Sequence, residues 1–261
     1  MSTIWIASYP KSGNTWLRFM LYAAIYGPPK HSADVSAKIQ DIHRKMPTDL
    51  DPEGPTYIKT HYELTDQHPK LNDTRKAIHI IRNPRDVLLS TLNYRKLADD
   101  GSLSVTTKVM AKSFIKFGGD PAFAQNGFGT WASNARSWRT TTRFPVLELR
   151  YEELKADPKA QLIKLLDFLE LSRTESEIEQ ALNASSFDSM RAMEIREKQA
   201  DPSNNLNKNL FVGTKNATRK GVYFMNKGKS NQSLDTITPG LDAQFTAAFK
   251  ADLQEFGYES A

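Results

Sequence analysis

The chain has 261 residues, 39% hydrophobic and 25% charged, with no cysteine and a net charge of +5. That length suits a single large domain with a full core, and the lack of thiols excludes disulfides and thiolate metal sites. No apolar run reaches the ~18 residues of a membrane helix and no signal peptide is expected ahead of the first strand, so a cytoplasmic protein is expected. The positive excess favours polyanionic ligands, with nucleic acid a candidate although no lysine or arginine run looks like a dedicated arm, and a highly charged nucleotide fitting as well.

Ile4-Trp5-Ile6-Ala7 is an apolar run bounded by turn residues, which predicts a buried parallel strand. Pro10 and Gly13 mark a tight turn. Ser12 or Asn14 is placed to cap the helix that follows, which runs from Trp16 to Tyr26 and ends at Gly27-Pro28-Pro29. A strand, turn and helix in this order aim free backbone N–H groups and the positive helix end at one spot, which makes an anion site. Lys11, Ser12, Asn14 and Thr15 add side-chain donors there. An ordinary strand-to-helix turn with a surface lysine is the plainer reading of the same residues. The order is not that of a Walker A loop, because Lys11 precedes Gly13 and no glycine lies upstream.

Residues 30–55 are polar, with a short helix expected near 34–45. Thr56 to His61 reads as a second strand ending in Lys59-Thr60-His61. Ligands of open α/β sheets bind at the carboxyl ends of strands, so His61 is placed for chemistry. The other histidines (His31, His43, His68 and His79) lack that setting. His79 lies inside the third strand, Ala77 to Ile81, and reads as structural. Arg82-Asn83-Pro84-Arg85-Asp86 leaves that strand for a helix, with Pro84 in its first turn and Asp86 at its positive end. Arg82, at the strand end, and Ser90, two turns into the helix, are candidates to face a phosphate. The planar fork of an arginine suits two phosphate oxygens.

Beyond a helix near 105–117 comes a Gly-Gly-Asp-Pro break. Phe114, Phe117, Phe123 and Phe128 read equally as the wall of an acceptor pocket or as core. Trp131 and Trp138 read as packing on a helix over 128–142. Pro145 to Arg150 is a fourth strand, followed by Tyr151-Glu152-Glu153-Leu154 and helices from Pro158 and over 174–183. Ser185 to Met190 reads as a helix N-terminus, with Phe187 either stacked on a base or in the core. Residues 194–232 are polar, basic and weakly periodic, and a last helix spans 239–256. Four strands alternating with helices predict an α/β fold in a single domain over 1–261. Its central parallel sheet would be flanked by helices around a P-loop-like nucleotide-binding core.

Tyr9-Pro10-Lys11-Ser12-Gly13-Asn14-Thr15-Trp16 resembles the 5′-phosphosulfate loop of the sulfotransferases that use 3′-phosphoadenosine 5′-phosphosulfate (PAPS). Lys59-Thr60-His61 resembles the segment carrying that family's catalytic histidine, and Arg82 to Ser90 its 3′-phosphate motif. Tyr151-Glu152-Glu153-Leu154, Ser185 and Phe187 are similar to segments near the nucleotide. The resemblance implies catalytic roles for His61, Lys11 and Lys59. It implies that PAPS, and its product 3′-phosphoadenosine 5′-phosphate (PAP), are bound by Lys11, Ser12, Gly13, Asn14, Thr15, Trp16, Arg82, Ser90, Tyr151, Ser185 and Phe187. It implies no metal, and a small-molecule acceptor with a hydroxyl or amine. The family's C-terminal Arg-Lys-Gly and Gly-Asp-Trp-Lys are met here only by Asn226-Lys227-Gly228-Lys229 and Ser230 to Ser233, with Arg219-Lys220-Gly221 upstream as a substitute. Asn226, Lys227 and Gly228 are the counterparts in that loop. Two other readings stand beside this one. A nucleotide-dependent phosphoryl transferase is disfavoured by the Lys11–Gly13 order and by the lack of an evident magnesium carboxylate. A non-catalytic basic nucleotide-binding module leaves His61 unexplained.

Overall fold

Thr3 to Ala7 forms the middle strand of the sheet, and all five residues are buried. The computed structural model describes residues 2–48, 54–98, 105–200, 210–211, 213, 217–218, 220–226, 228 and 232–259. In chain order the elements are β1 (Thr3–Ala7), α1 (Asn14–Tyr26), α2 (Ser32–Lys38), β2 (Ile39–Asp41), β3 (Thr56–Thr60), β4 (Thr74–Ile81), α3 (Pro84–Ala98), α4 (Thr107–Phe117), α5 (Pro121–Phe123), α6 (Trp131–Arg139), β5 (Val146–Arg150), α7 (Tyr151–Ala156), α8 (Pro158–Leu169), α9 (Glu175–Ala184), α10 (Phe187–Ala200), α11 (Leu241–Ala248) and α12 (Lys250–Phe256). Among the described residues no helix is long and apolar enough to cross a membrane.

The strand order is β2-β3-β1-β4-β5, and every pairing is parallel. Side chains alternate across β1. Ile4 and Ile6 pack with Leu17 of α1, Leu165 of α8 and Ile178 of α9, whereas Trp5 and Ala7 pack with Trp138 of α6 and Phe144. Period-two alternation with both faces apolar is what a strand covered by helices on both sides requires. Burial of each large aliphatic side chain contributes roughly 1.5–3 kcal/mol. α1 leaves β1 on the Ile6 face, while Val87 and Leu88 of α3 join a different cluster, with Trp131 and Phe245. The connections after β1 and β4 thus part to opposite faces and open a crevice at the strand ends, the place where doubly wound sheets hold ligands.

Three expectations are corrected. The sheet has five strands, not four, because Ile39–Asp41 is a short edge strand where a helix over 34–45 was expected. Ile39 is extended (φ −112, ψ 91), and a three-residue strand carries too little alternation to be seen in sequence. α10 runs to Ala200, well into the stretch read as irregular from 194. The last helix is two, α11 and α12, broken at Phe249 (φ −97, ψ 8).

Candidate active site

The turn after β1 is built on two left-handed residues, Lys11 (φ 72) and Gly13 (φ 105). The conformation costs a non-glycine residue about 1 kcal/mol, and such curls turn successive N–H groups into one anion-binding concavity. Gly13 is the N-cap of α1, and no side chain caps the helix, which corrects the assignment of that role to Ser12 or Asn14. Asn14 turns back instead, donating to the Ile6 carbonyl (3.0 Å) and the Ser8 hydroxyl (3.2 Å). A Cβ on Gly13 would stand 2.6 Å from Cδ2 of Tyr151, so glycine is required for space as well as for φ.

A cavity of about 1350 Å³ opens at this end of the sheet. Lys11, Gly13, Asn14, Thr15 and Trp16 line it from the turn, Lys59 and His61 from the end of β3, and Arg82 and Ser90 from β4 and α3. Tyr151, Phe187, Asn226 and Gly228 complete that wall. Two expected residues are not on it. The Ser12 hydroxyl is buried without a hydrogen-bond partner, and the Ser185 hydroxyl donates to the Ala181 carbonyl at 2.7 Å, inside its own helix turn. Lys227 and Arg219 lie outside the described residues.

The Lys11 ammonium sits over Tyr94 (4.5 Å) and Phe224 (4.3 Å). Desolvation, aided by the charges of Arg82 and Lys59, brings its pKa down to about 7. Arg82 stacks on Tyr151 at 4.1 Å, and Trp16 meets the same ring edge-on at 5.6 Å. Phe187 is 37% exposed, with Gly228 against its face. Aromatic planes and guanidinium thus share one side of the cavity.

His61 is fixed by β1 and by the edge strand. Its Nδ1 lies 2.8 Å from the Ser8 carbonyl, which can only accept, so Nδ1 carries the proton and Nε2 is the ring's acceptor. Its backbone N–H donates to Nε2 of His43 at 2.8 Å, and the two rings stack at 5.5 Å. Desolvation first, then Lys59 and His43, holds the His61 pKa well below 6.5, so the imidazole stays neutral near pH 7. Lys59 pairs with both oxygens of Asp41 at 3.2 Å. Desolvation lowers its pKa to about 8, against the opposing pull of Asp41. His43 therefore belongs to the site, contrary to its exclusion on sequence grounds. Asp41, His43 and Arg44 all line the cavity, as do Tyr94 and Phe224. The signal was an Asp41-x-His43 echo of Lys59-x-His61, legible only once Ile39–Asp41 is known to pair with β3.

The phenylalanines divide. Phe114 is core, Phe117 is exposed, Phe128 lines the cavity beside His43 and His61, and Phe123 lines it against Phe128. The tryptophans are packing residues that also tether strand-end loops. Trp131 donates to the Arg82 carbonyl (3.0 Å) and Trp138 to that of Tyr62 (3.1 Å).

Glu194 organises the far wall. Fully buried in α10, it accepts from Lys198 (2.6 Å) and from the backbone N–H groups of Phe224 (2.6 Å) and Met225 (2.8 Å). Those bonds lay Phe224 over Lys11 and bring Asn226 to the cavity. Glu152 closes the other side, accepting from the Asn83 N–H (2.9 Å) and the Tyr258 hydroxyl (3.1 Å).

A parallel doubly wound sheet, an anion loop after its central strand and a neutral histidine among cations define a nucleotide-dependent group transferase. Residues 1–257 match the sulfotransferase domain model, and the chain belongs to the sulfotransferase family, the enzymes that draw their sulfuryl group from PAPS. It is 24% identical to rat sulfotransferase 1A1 over 97% of this chain and 85% of that protein. To mouse sulfotransferase 2A1 it is 26% identical, over 96% and 84%. In fold it is similar to a retinol dehydratase crystallised with androsterone and the inactive cofactor PAP (TM-score 0.69, 16% identity, 97% of this chain and 81% of that one). It is likewise similar to mouse sulfotransferase SULT7A1 complexed with PAP (TM-score 0.63, 22% identity, 99% and 89%).

Proposed function

We propose that residues 1–261 form a single sulfotransferase domain that moves the sulfuryl group of PAPS to a hydroxyl, or an amine, of a small-molecule acceptor, with His61 as general base. The observation that carries this is the Ser8 carbonyl on Nδ1 of His61, which leaves Nε2 to accept a proton in a cavity it shares with Lys11 and Lys59. The donor set suits a nucleotide with phosphates at both ends. Lys11, Thr15, Arg82 and Ser90 line the cavity, and the Ser12 hydroxyl is buried in the turn without a partner.

PAPS, when bound, would supply the sulfuryl group, the electron pair of its sulfur–oxygen bond leaving with the 5′-phosphate of PAP as a new bond forms from sulfur to the acceptor oxygen or nitrogen. Nε2 of His61 takes the acceptor proton. A base held neutral at pH 7 is suited to this. Lys11 balances charge on the leaving 5′-phosphate, assisted by N–H groups of the turn, and Lys59 holds the sulfonate. Arg82 and Ser90 hold the 3′-phosphate. Trp16, Tyr151 and Phe187 form the aromatic surface for the adenine. Phe123 and Phe128 face the acceptor.

Calorimetric binding of PAP against 5′-AMP and ATP, without metal, tests the donor assignment. PAP should bind far more tightly than 5′-AMP, and Arg82→Ala should abolish the difference. Equal affinity for all three ligands would remove it, and a preference for ATP would favour a phosphoryl transferase.

A further inference from the structure

We propose that Asp41 is a positioning residue for Lys59, holding its ammonium group beside His61 where the transferring sulfonate is met. The inference rests on the sulfotransferase reading for what Lys59 does, and on geometry for what Asp41 does. Asp41 and Lys59 are register partners on adjacent parallel strands. Residues two further on, His43 and His61, are therefore neighbours as well, and their rings stack with planes 12° apart. One carboxylate ties the two rows together. Both oxygens of Asp41 accept from the Lys59 ammonium at 3.2 Å, and Oδ1 also accepts the backbone N–H of His43 at 3.0 Å. His43 in turn accepts the N–H of His61.

The pair is not a surface ion pair of little consequence. The side chains of Lys59 and Asp41 are only 10% and 11% exposed, and both line the cavity. The other charges around it are largely positive. Arg18 reaches in from α1, donating to the Ile39 carbonyl, Arg44 approaches Asp41 at 3.7 Å, and Lys11 stands across the cavity. His43 and His61 add no charge near pH 7, since desolvation lowers both. An ammonium placed among those cations is driven to lose its proton or to swing away unless a carboxylate holds it. Asp41 is that carboxylate. Burial opposes its charge, but Lys59 and Arg18 hold its pKa below the usual carboxylate range, so it stays ionised wherever the enzyme works. The cluster remains net positive, as a polyanionic donor requires.

The test follows the Lys59 ammonium directly. Full-length protein carrying lysine labelled with carbon-13 at Cε is titrated by NMR, with the Lys59 signal assigned through Lys59→Arg. Asp41→Asn should lower the Lys59 midpoint by about one pH unit or more, and Asp41→Glu should restore most of it. An unchanged midpoint in a folded Asp41→Asn protein overturns the proposal. With a competent acceptor, Asp41→Asn should also lower kcat tenfold or more while PAP, which has no sulfonate, keeps its affinity within threefold. An equal loss of PAP affinity and kcat would mean a general disturbance of the site and would also overturn it. If wild-type protein transfers no sulfuryl group but the midpoint moves as stated, Asp41 holds Lys59 and it is the reading of the reaction that falls.

Discussion

The Nδ1–H of His61 donates to the carbonyl of Ser8 across 2.8 Å, so the residue that opens the turn after β1 also sets the tautomer of the histidine at the end of the neighbouring strand. The turn and His61 are joined through the Ser8 carbonyl and, at 3.3 Å, the Ser8 hydroxyl. Distortion of the turn should therefore reach the base as well as the donor.

His61→Ala should lower turnover by ~10²-fold or more with PAP affinity nearly intact. Single-turnover rates alongside calorimetry make the distinction. Because the His61 pKa lies well below 6.5, the wild-type rate should hold as pH falls through 6.5 and decline only below it. An acid limb centred at or above 6.5 would count against His61 as the base.

With Lys11 in the proposed donor site, donor binding should depend on pH. In the free protein its pKa is about 7, against an ordinary 10.5. A bound polyanion favours the charged form, so below pH 7 the lysine is already protonated and affinity is greatest. Above it, binding must take up a proton, and PAP affinity should fall by up to about tenfold per pH unit. Calorimetry in buffers of different ionisation heat would register the uptake near pH 8. Lys11→Met should remove the part of the uptake that Lys59, with a pKa of about 8 in the same cavity, does not supply.

Gly13→Ala should both destabilise the protein and impair the donor site. The φ of 105 strains any Cβ-bearing residue, and the added methyl would meet Tyr151 at 2.6 Å. A loss of roughly 1–3 kcal/mol is expected. Thermal melts should show the drop, and PAP binding measured well below the melting point should still be weakened.

Glu194→Ala should cost ~3 kcal/mol or more, because it leaves Lys198 buried and unpaired (4% exposed) along with two backbone N–H groups. The double change Glu194→Leu with Lys198→Met should recover only part, since the N–H groups of Phe224 and Met225 still lack an acceptor. Full recovery would show that the ion pair, not the backbone anchoring, is what Glu194 contributes.

The parts of the molecule legible in sequence are those whose signal is local. Ile4 to Ala7 followed by Pro10 and Gly13 announces a strand and a turn within ten residues, and Arg82 with Pro84 does the same after β4. What escaped depends on pairing between distant segments. Asp41 and His43 acquire meaning only from the β2–β3 register, and a three-residue strand leaves no periodic trace. Glu194 looks like any helix-surface glutamate until the 223–226 segment folds onto it. The Ser12 capping role failed for a different reason. A left-handed Gly13 took the N-cap position, and the hydroxyl was left inside.

The central strand precedes both of its neighbours in the chain. Thr3 pairs with Thr56 on one side and with Thr74 on the other. During synthesis Ile4-Trp5-Ile6 therefore emerges with no partner, stays so until residues 56–60 have been made, and lacks its second neighbour until residues 74–81 follow. Pairings this far apart in sequence close slowly, and an unpaired apolar strand is a natural hold for chaperones in the meantime. The donor cannot shorten that wait, because the turn that would grip it hangs from the same unpaired strand. Rescue of a poorly folding variant by PAP should therefore act only after the sheet has closed, by slowing unfolding rather than by speeding folding.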